Sequence, residues 1–389
     1  MKSSSSAKQN RLAAFAVTAP GLETLCAAEL GALGIRGKAE DGGVLWSGDL
    51  ESVARANLWL RTASRVLVRV AEFRAKAFFE LELNAKKIPW KRFVAPGSTV
   101  EFRVTCRKSK LYHSDAVAQR MSDAVSRAIR DVKTVKGAAN DDDDTTPAER
   151  QLFVVRFLHD VATVSVDSSG ALLHMRGYRQ QLAKAPVRET LAAATLLGSG
   201  WDGTTPLTDP MCGSGTIPIE AAMIARRMAP GRNRTFAFFA WPEFDKASWK
   251  GLVTKAKDGE LSTSPVVIQG FDRDEGAIAA AHANAERAGV AKDIEFRVQP
   301  VSAMPAADDA GLVVSNPPYG VRVGESGPLR NLYAQLGNVM RSKRPHSTLA
   351  LLSADKQLEH QVKLGFEERL KTKNGGIPVR LVVASPGSS

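Results

Sequence analysis

The chain has 389 residues, 44% of them hydrophobic, and carries 53 lysines and arginines against 41 aspartates and glutamates, a formal net charge of +12. That length suits two or three domains with packed cores, and no run approaches the ~18–20 apolar residues of a membrane-spanning helix, so no membrane partner is expected. Cys26, Cys106 and Cys212 make neither a disulfide framework nor a zinc pattern, which makes the cytoplasm the expected compartment.

In chain order, residues 1–10 lack the apolar core of a signal peptide and read as a disordered tail. Residues 12–17 and 43–46 have strand character around a helical 22–33, and a second helix begins at Asp49. Further strands are predicted over 66–73, 99–105, 152–158 and 161–166, with a helix over 116–130. Short strands alternating with helices indicate α+β modules. Between Lys86 and Arg130, eleven basic residues stand against three acidic ones. Arg107, Lys108 and Lys110, followed by Tyr112, are the densest part and the candidate contacts to a nucleic-acid backbone. The run Asn140-Asp141-Asp142-Asp143-Asp144 marks a solvent-facing insertion near 137–149. A contiguous Asp run cannot converge its carboxylates as a spaced calcium loop does, so no metal is expected. Arg176 and Arg179 are open to two readings, phosphate contact or hinge salt bridge.

The second half carries the chemistry. Residues 206–208 approach Asp209-Pro210-Met211-Cys212-Gly213-Ser214-Gly215-Thr216, and 217–228 read as a helix, with Ile217, Ala221, Ile224 and Met228 at three- and four-residue steps. Gly213 and Gly215 let the backbone turn sharply and approach a ligand. This is neither the spaced dinucleotide fingerprint nor a phosphate loop, and Cys212 reads as packing, not as a nucleophile. An aromatic cluster follows, in which Trp241 is either packing or a substrate-side wall. Residues 266–271 lead to Asp272, placed as acidic strand ends are in doubly wound sheets to accept from ribose hydroxyls. Asp274 reads as the cap of the helix over 275–288.

After a strand over 294–298, the apolar run 311–315 leads into Asn316-Pro317-Pro318-Tyr319-Gly320. An exocyclic base amine has its lone pair delocalised into the ring and attacks a methyl sulfonium poorly unless acceptors hold its hydrogens. The Asn316 oxygen and the Pro317 carbonyl are two such acceptors, Tyr319 offers an aromatic face to an extracted base, and consecutive prolines stiffen the backbone that aims them. Strands over 347–352, 366–370 and 379–384 complete the sheet.

These motifs resemble those of S-adenosylmethionine-dependent amino-group methyltransferases of the (N/D)PP(Y/F) type. Over nearly its whole length the chain resembles the THUMP-containing, class I RNA guanine-N2 methyltransferases of UPF0020 type, in particular the N-terminal half of the enzyme acting on bacterial 23S ribosomal RNA. The resemblance implies an α/β fold: a Rossmann-like methyltransferase sheet over 187–389 ending in two antiparallel strands, a ferredoxin-like module over 11–65, a THUMP domain over 66–170 and a linker over 171–186. It implies S-adenosyl-L-methionine held by Asp209, Met211, Cys212, Gly213, Ser214, Gly215, Thr216, Asp272 and Asn316. Catalysis is then expected at Asn316, Pro317 and Tyr319, on structured RNA bound to a monomer. An Asp that normally follows the third strand to meet the adenine is absent here, leaving Gln299, Ser302 or a backbone group. Transfer-RNA guanine N2, adenine N6, and an RNA-binding assembly factor with a vestigial pocket are the alternative functions.

Overall fold

The computed structural model describes residues 11–137, 150–180, 187–319 and 326–386. The tail 1–10, the acidic insertion from residue 138 onward, the linker residues 181–186 and Gly320 lie outside the described residues. No described helix is long and apolar enough to cross a membrane. The chain divides into two compact units, one made of residues up to Thr18, Cys26–Leu173 and Arg234–Thr254, the other of Ala19–Leu25, His174–Asn233 and Lys255–Ser389.

The first unit is built on one eight-stranded sheet. Its strands are β1 (Leu12–Thr18), β2 (Gly37–Glu40), β3 (Gly43–Gly48), β4 (Ala63–Arg74), β5 (Thr99–Arg107), β6 (Lys133–Lys136), β7 (Arg150–Leu158) and β8 (Val161–Asp167), in the order β2-β3-β1-β4-β8-β7-β5-β6. Helices α1 (Glu23–Ala32), α2 (Leu50–Trp59), α3 (Phe78–Ala85) and α4 (Ser114–Ala128) lie between them in sequence. Asp49 caps α2 by accepting from the Ser52 N–H at 2.8 Å. The twelve-residue β4 pairs with β1 on one side and β8 on the other. The expected module boundary at 65/66 therefore falls inside a strand, and β4 runs through both expected modules.

For the aromatic cluster, the structure decides between packing and a substrate-side wall. Phe236, Phe238 and Trp241 are buried in the core of the first unit, with Trp90, Phe102 and Phe153. The Trp241 ring meets Phe93 edge-on at 4.9 Å, and its indole N–H donates to Gln151 Oε1 at 2.7 Å. A side chain so enclosed is packing with its polar tip satisfied, not a substrate wall.

The second unit holds strands β9 (Leu207–Asp209), β10 (Ile268–Asp272), β11 (Ile294–Val298), β12 (Leu312–Ser315), β13 (Thr348–Ser353), β14 (Glu367–Asn374) and β15 (Ile377–Ala384), in the order β11-β10-β9-β12-β13-β15-β14. The first five run parallel, and β15 is antiparallel to both β13 and β14. From β9 the chain steps outward one way through β10 and β11, then returns to the other side at β12. That reversal opens a crevice at the carboxyl ends of β9 and β12, the place where such sheets bind ligands.

Helices α5 (Glu189–Gly198), α6 (Thr216–Ala225), α8 (Glu275–Ala288), α9 (Ser326–Lys343) and α10 (Lys356–Val362) belong to this unit, while α7 (Lys246–Asp258) lies between α6 and α8 in sequence. Helix α6 stops at Ala225, short of the expected Met228, because Arg227 turns into the left-handed region at φ +56°. Met228 is buried beyond the helix end, so its apolar spacing reports burial and not helix.

Candidate active site

Asp209, Asp272 and Asn316 stand at or just past the carboxyl ends of β9, β10 and β12. Asp209 is 1% exposed. Its Oδ1 accepts from the Ser315 hydroxyl at 2.7 Å and from the Met211 N–H at 3.1 Å. Burial pushes its carboxyl up to about 7; these hydrogen bonds oppose the rise and neighbouring Asp272 adds to it. Ser315 directly precedes Asn316, so one hydrogen bond joins the loop 209–216 to the strand that leads into Asn316.

The loop itself is pinned to β10. Cys212 N–H donates to the Phe271 carbonyl at 2.9 Å, and Gly213 N–H to Asp272 Oδ2 at 3.0 Å. Gly215 has φ +81°, and a Cβ there would stand 2.9 Å from Ala281 Cβ and 3.1 Å from the Phe296 ring. Its glycine thus serves the close approach of α8 as well as the turn. Asn284 on α8 donates to the Ser214 carbonyl at 3.0 Å. The other Asp272 oxygen accepts from the Asp274 N–H at 3.0 Å, while Asp274 caps α8 through Ala277 N–H, also at 3.0 Å. The Cys212 thiol is buried and pushed well up by desolvation, then by Asp209 and Asp272, the opposite of what a nucleophile requires.

Past β11, Gln299 N–H donates to the Asp272 carbonyl at 2.8 Å, and its side-chain Nε2 is buried with no hydrogen-bond partner. Ser302 is exposed. Of the two side chains left open for the adenine contact, Gln299 is the one with a buried side-chain nitrogen that lacks a hydrogen-bond partner.

In the segment 316–319, Asn316 and Tyr319 are half-buried and Pro317 is buried. The Tyr319 hydroxyl donates to Asn316 Oδ1 at 3.1 Å and accepts from Asn374 Nδ2 at 2.7 Å. Tyr333 on α9 donates to the Pro318 carbonyl at 3.3 Å. Sequence reasoning missed Ser315 and Asn374. A polar residue closing the apolar run 312–315 was the only signal for the first, and the second was hidden in a Gly-Gly hairpin turn.

Arg176 pairs with Glu220 at 3.5 Å and Arg179 with Glu189 at 3.1 Å. Both guanidiniums are largely buried, so the salt-bridge reading holds and the phosphate-contact reading is withdrawn. Burial pushes Glu189 up to about 7 against the pull of Arg179.

Among the basic residues of the first unit, Arg103 is buried against Glu101 at 2.8 Å and Arg92 is held by Glu243 at 2.9 Å. Arg107, Lys108, Lys110 and Tyr112 are exposed. The Tyr112 and His113 rings lie 4.0 Å apart. No group of three potential metal ligands occurs among the described residues.

Residues 176–382 match the UPF0020 family, described as RMKL-like, methyltransferase domain, and residues 13–67 match the RlmL ferredoxin-like domain. The chain is 34% identical over 377 residues to slr0064 of Synechocystis sp., named as a candidate RNA methyltransferase, covering 95% of both proteins. It is 37% identical over 382 residues to the ribosomal RNA large subunit methyltransferase K/L of Syntrophotalea carbinolica, covering 95% of this chain and 53% of that longer protein. The crystal structure of SMU.472, a candidate methyltransferase complexed with SAH, superposes with a TM-score of 0.86 at 29% identity, covering 98% of this chain and 99% of the other.

Proposed function

The chain belongs to the UPF0020 family of RMKL-like methyltransferase domains, and from that premise we propose that it methylates the exocyclic N2 of a guanosine in 23S ribosomal RNA. The observation that carries the reading is the 2.7 Å hydrogen bond from Ser315 to Asp209, which joins the loop 209–216 to the segment 316–319 across the crevice. A cofactor site and an amine-holding site are thereby built as one unit.

S-adenosyl-L-methionine is the cofactor, and when bound it supplies a methyl group on a positively charged sulfur. The residues fit it. The turn at Gly213 and Gly215 runs at φ +53° and +81°, Asp272 ends the next strand, and the orphaned Gln299 amide stands beyond it. Asp209, buried with no cation against it among the described residues, suits a ligand that brings positive charge. Asn316 Oδ1 and the Pro317 carbonyl take the two hydrogens of the target amine, which turns the nitrogen lone pair toward the methyl group. With the amine held this way, Asn316 and Pro317 would present its nitrogen to the methyl group that bound S-adenosyl-L-methionine would supply, and the proton the amine loses would pass to solvent. Positioning supplies most of the catalysis.

The first unit docks the RNA. Its 66–170 portion acts as a THUMP-type module, with Arg107, Lys108 and Lys110 on phosphates and Tyr112 against a base. The relative from Syntrophotalea carbinolica, a large-subunit ribosomal RNA methyltransferase by name, favours ribosomal over transfer RNA. Incubating the purified protein with labelled S-adenosyl-L-methionine and unmodified 23S RNA, then digesting to nucleosides, tests the proposal. Label in N2-methylguanosine supports it; label in N6-methyladenosine, or none, rejects it.

A further inference from the structure

Asn374 ends β14, and Gly375 and Gly376 follow at φ +55° and +87° before β15 begins at Ile377. Both positions of this two-residue turn that demand positive φ are thus filled by glycine. The hairpin does not need Asn374 for its backbone. The side chain is spent elsewhere, donating from Nδ2 to the Tyr319 hydroxyl at 2.7 Å, while that hydroxyl donates to Asn316 Oδ1 at 3.1 Å.

We propose that Asn374 is a positioning residue for methyl transfer, acting through the Tyr319 hydroxyl to fix the Asn316 amide. The inference rests on the amine-transfer reading of Asn316. A phenol has one proton to donate. With Asn374 donating to the phenol oxygen, that proton is directed to Asn316, and the Asn316 amide must turn Oδ1, not Nδ2, toward Tyr319. The same contact fills one of the two lone pairs on Oδ1 and leaves one to meet an incoming amine hydrogen. Without Asn374 the hydroxyl can rotate away, and the Asn316 amide can flip its donor into the place of its acceptor. The device therefore sets which hydrogen-bonding sense the substrate meets, and the hairpin between β14 and β15 becomes part of the catalytic wall.

The test is a double-mutant cycle on single-turnover methylation of unmodified ribosomal RNA, with Asn374→Ala, Tyr319→Phe and the pair together. Each single variant is expected to slow transfer about three- to tenfold, the range of one neutral hydrogen bond. The double variant should be no slower than the slower single one, because both act through the same contact. Cofactor affinity should stay at the parent value. Asn374→Asp keeps a turn-compatible side chain but, once ionised, can only accept, so it should draw the tyrosine proton away and be slowed like Asn374→Ala. This variant separates positioning from folding. Asn374 variants that transfer as fast as the parent overturn the proposal, as do losses that multiply in the double variant, or slow transfer by Asn374→Ala fully restored in Asn374→Asp. Should the parent itself transfer no methyl group to RNA, the functional reading falls and takes this inference with it. Parent activity with an indifferent Asn374 removes the inference alone.

Discussion

Two buried strand-end carboxylates, one in each unit, are treated in opposite ways. Asp167 closes β8 in the first unit, fully buried, ion-paired with Arg65 and accepting from the Ser169 and Gly170 N–H groups at 2.9 and 3.0 Å. Asp209 closes β9 in the second unit, as deeply buried, with a hydroxyl and one N–H in hydrogen-bonding contact and a second carboxylate, Asp272, as its charged neighbour. Desolvation raises both, but at Asp167 a guanidinium opposes it. A carboxylate that serves only the fold is given its cation within the fold. On the proposed reading Asp209 meets its positive charge in the cofactor, and a buried carboxylate shifted this far at the end of a crevice strand is the kind of group that marks a functional site.

The contrast can be broken most forcefully at Arg65. Arg65→Met should cost about 3–5 kcal/mol, the penalty for leaving a buried charge unpaired, read as a lower urea midpoint at pH 7. A loss below roughly 1 kcal/mol, the size of a surface pair, would mean that Asp167 does not depend on its partner.

Asp209→Asn should do the reverse. The folded carboxyl binds its proton more tightly than the unfolded one, with about 7 replacing the ordinary 3.8. Its contribution to stability is therefore full below the unfolded value and is lost as pH rises through the folded one. Parent and variant should diverge between those two values by roughly 4 kcal/mol in the variant's favour, then run parallel. Glu189 titrates over the same window in both proteins, so the difference between them isolates Asp209. Curves that stay parallel throughout would remove the electrostatic account of this residue.

The ligand side of the comparison is sharpened at Asp272. Asp272→Ala should weaken cofactor binding by about 1.5–3 kcal/mol, the loss of a charged acceptor, and calorimetry showing an unchanged dissociation constant would reject the ribose assignment. The smallest effect is expected in the first unit. Reversing Arg107, Lys108 and Lys110 to glutamate should lower RNA affinity and flatten its salt dependence while cofactor affinity holds. Equal salt slopes for parent and variant would take this cluster off the RNA surface.

What could be read from the sequence divides along the same physical lines. The loop after β9, the acidic end of β10 and the Asn-Pro-Pro-Tyr segment after β12 were legible because each is a short run whose residue types constrain its own backbone. So was the doubly wound sheet, whose strands are brief apolar runs closed by polar residues. Contacts between distant segments were not legible. Ser315 reaches Asp209 across 106 residues and Asn374 reaches Tyr319 across 55, and no local pattern announces either. Nor does composition separate a free cation from one neutralised in place: Arg103 counted toward the basic cluster until Glu101 was found against it. The aromatic segment around Trp241 stayed open between packing and a substrate-side wall for a related reason, since its position in the chain does not say where its rings will be buried. Strands β2 and β6, four residues each, are too short for alternation to register.

The central claim, that Asn316 holds the amine while Asp272 and the glycine turn carry most of the cofactor's binding, is tested most directly by Asn316→Ala in single-turnover transfer to unmodified 23S RNA, with cofactor affinity measured on the same preparation. The account predicts a parent-like dissociation constant and a transfer rate lower by about 100-fold or more, the scale on which removing one group that holds the reacting centre acts. Transfer at the parent rate, with N2-methylguanosine still the product, would contradict it.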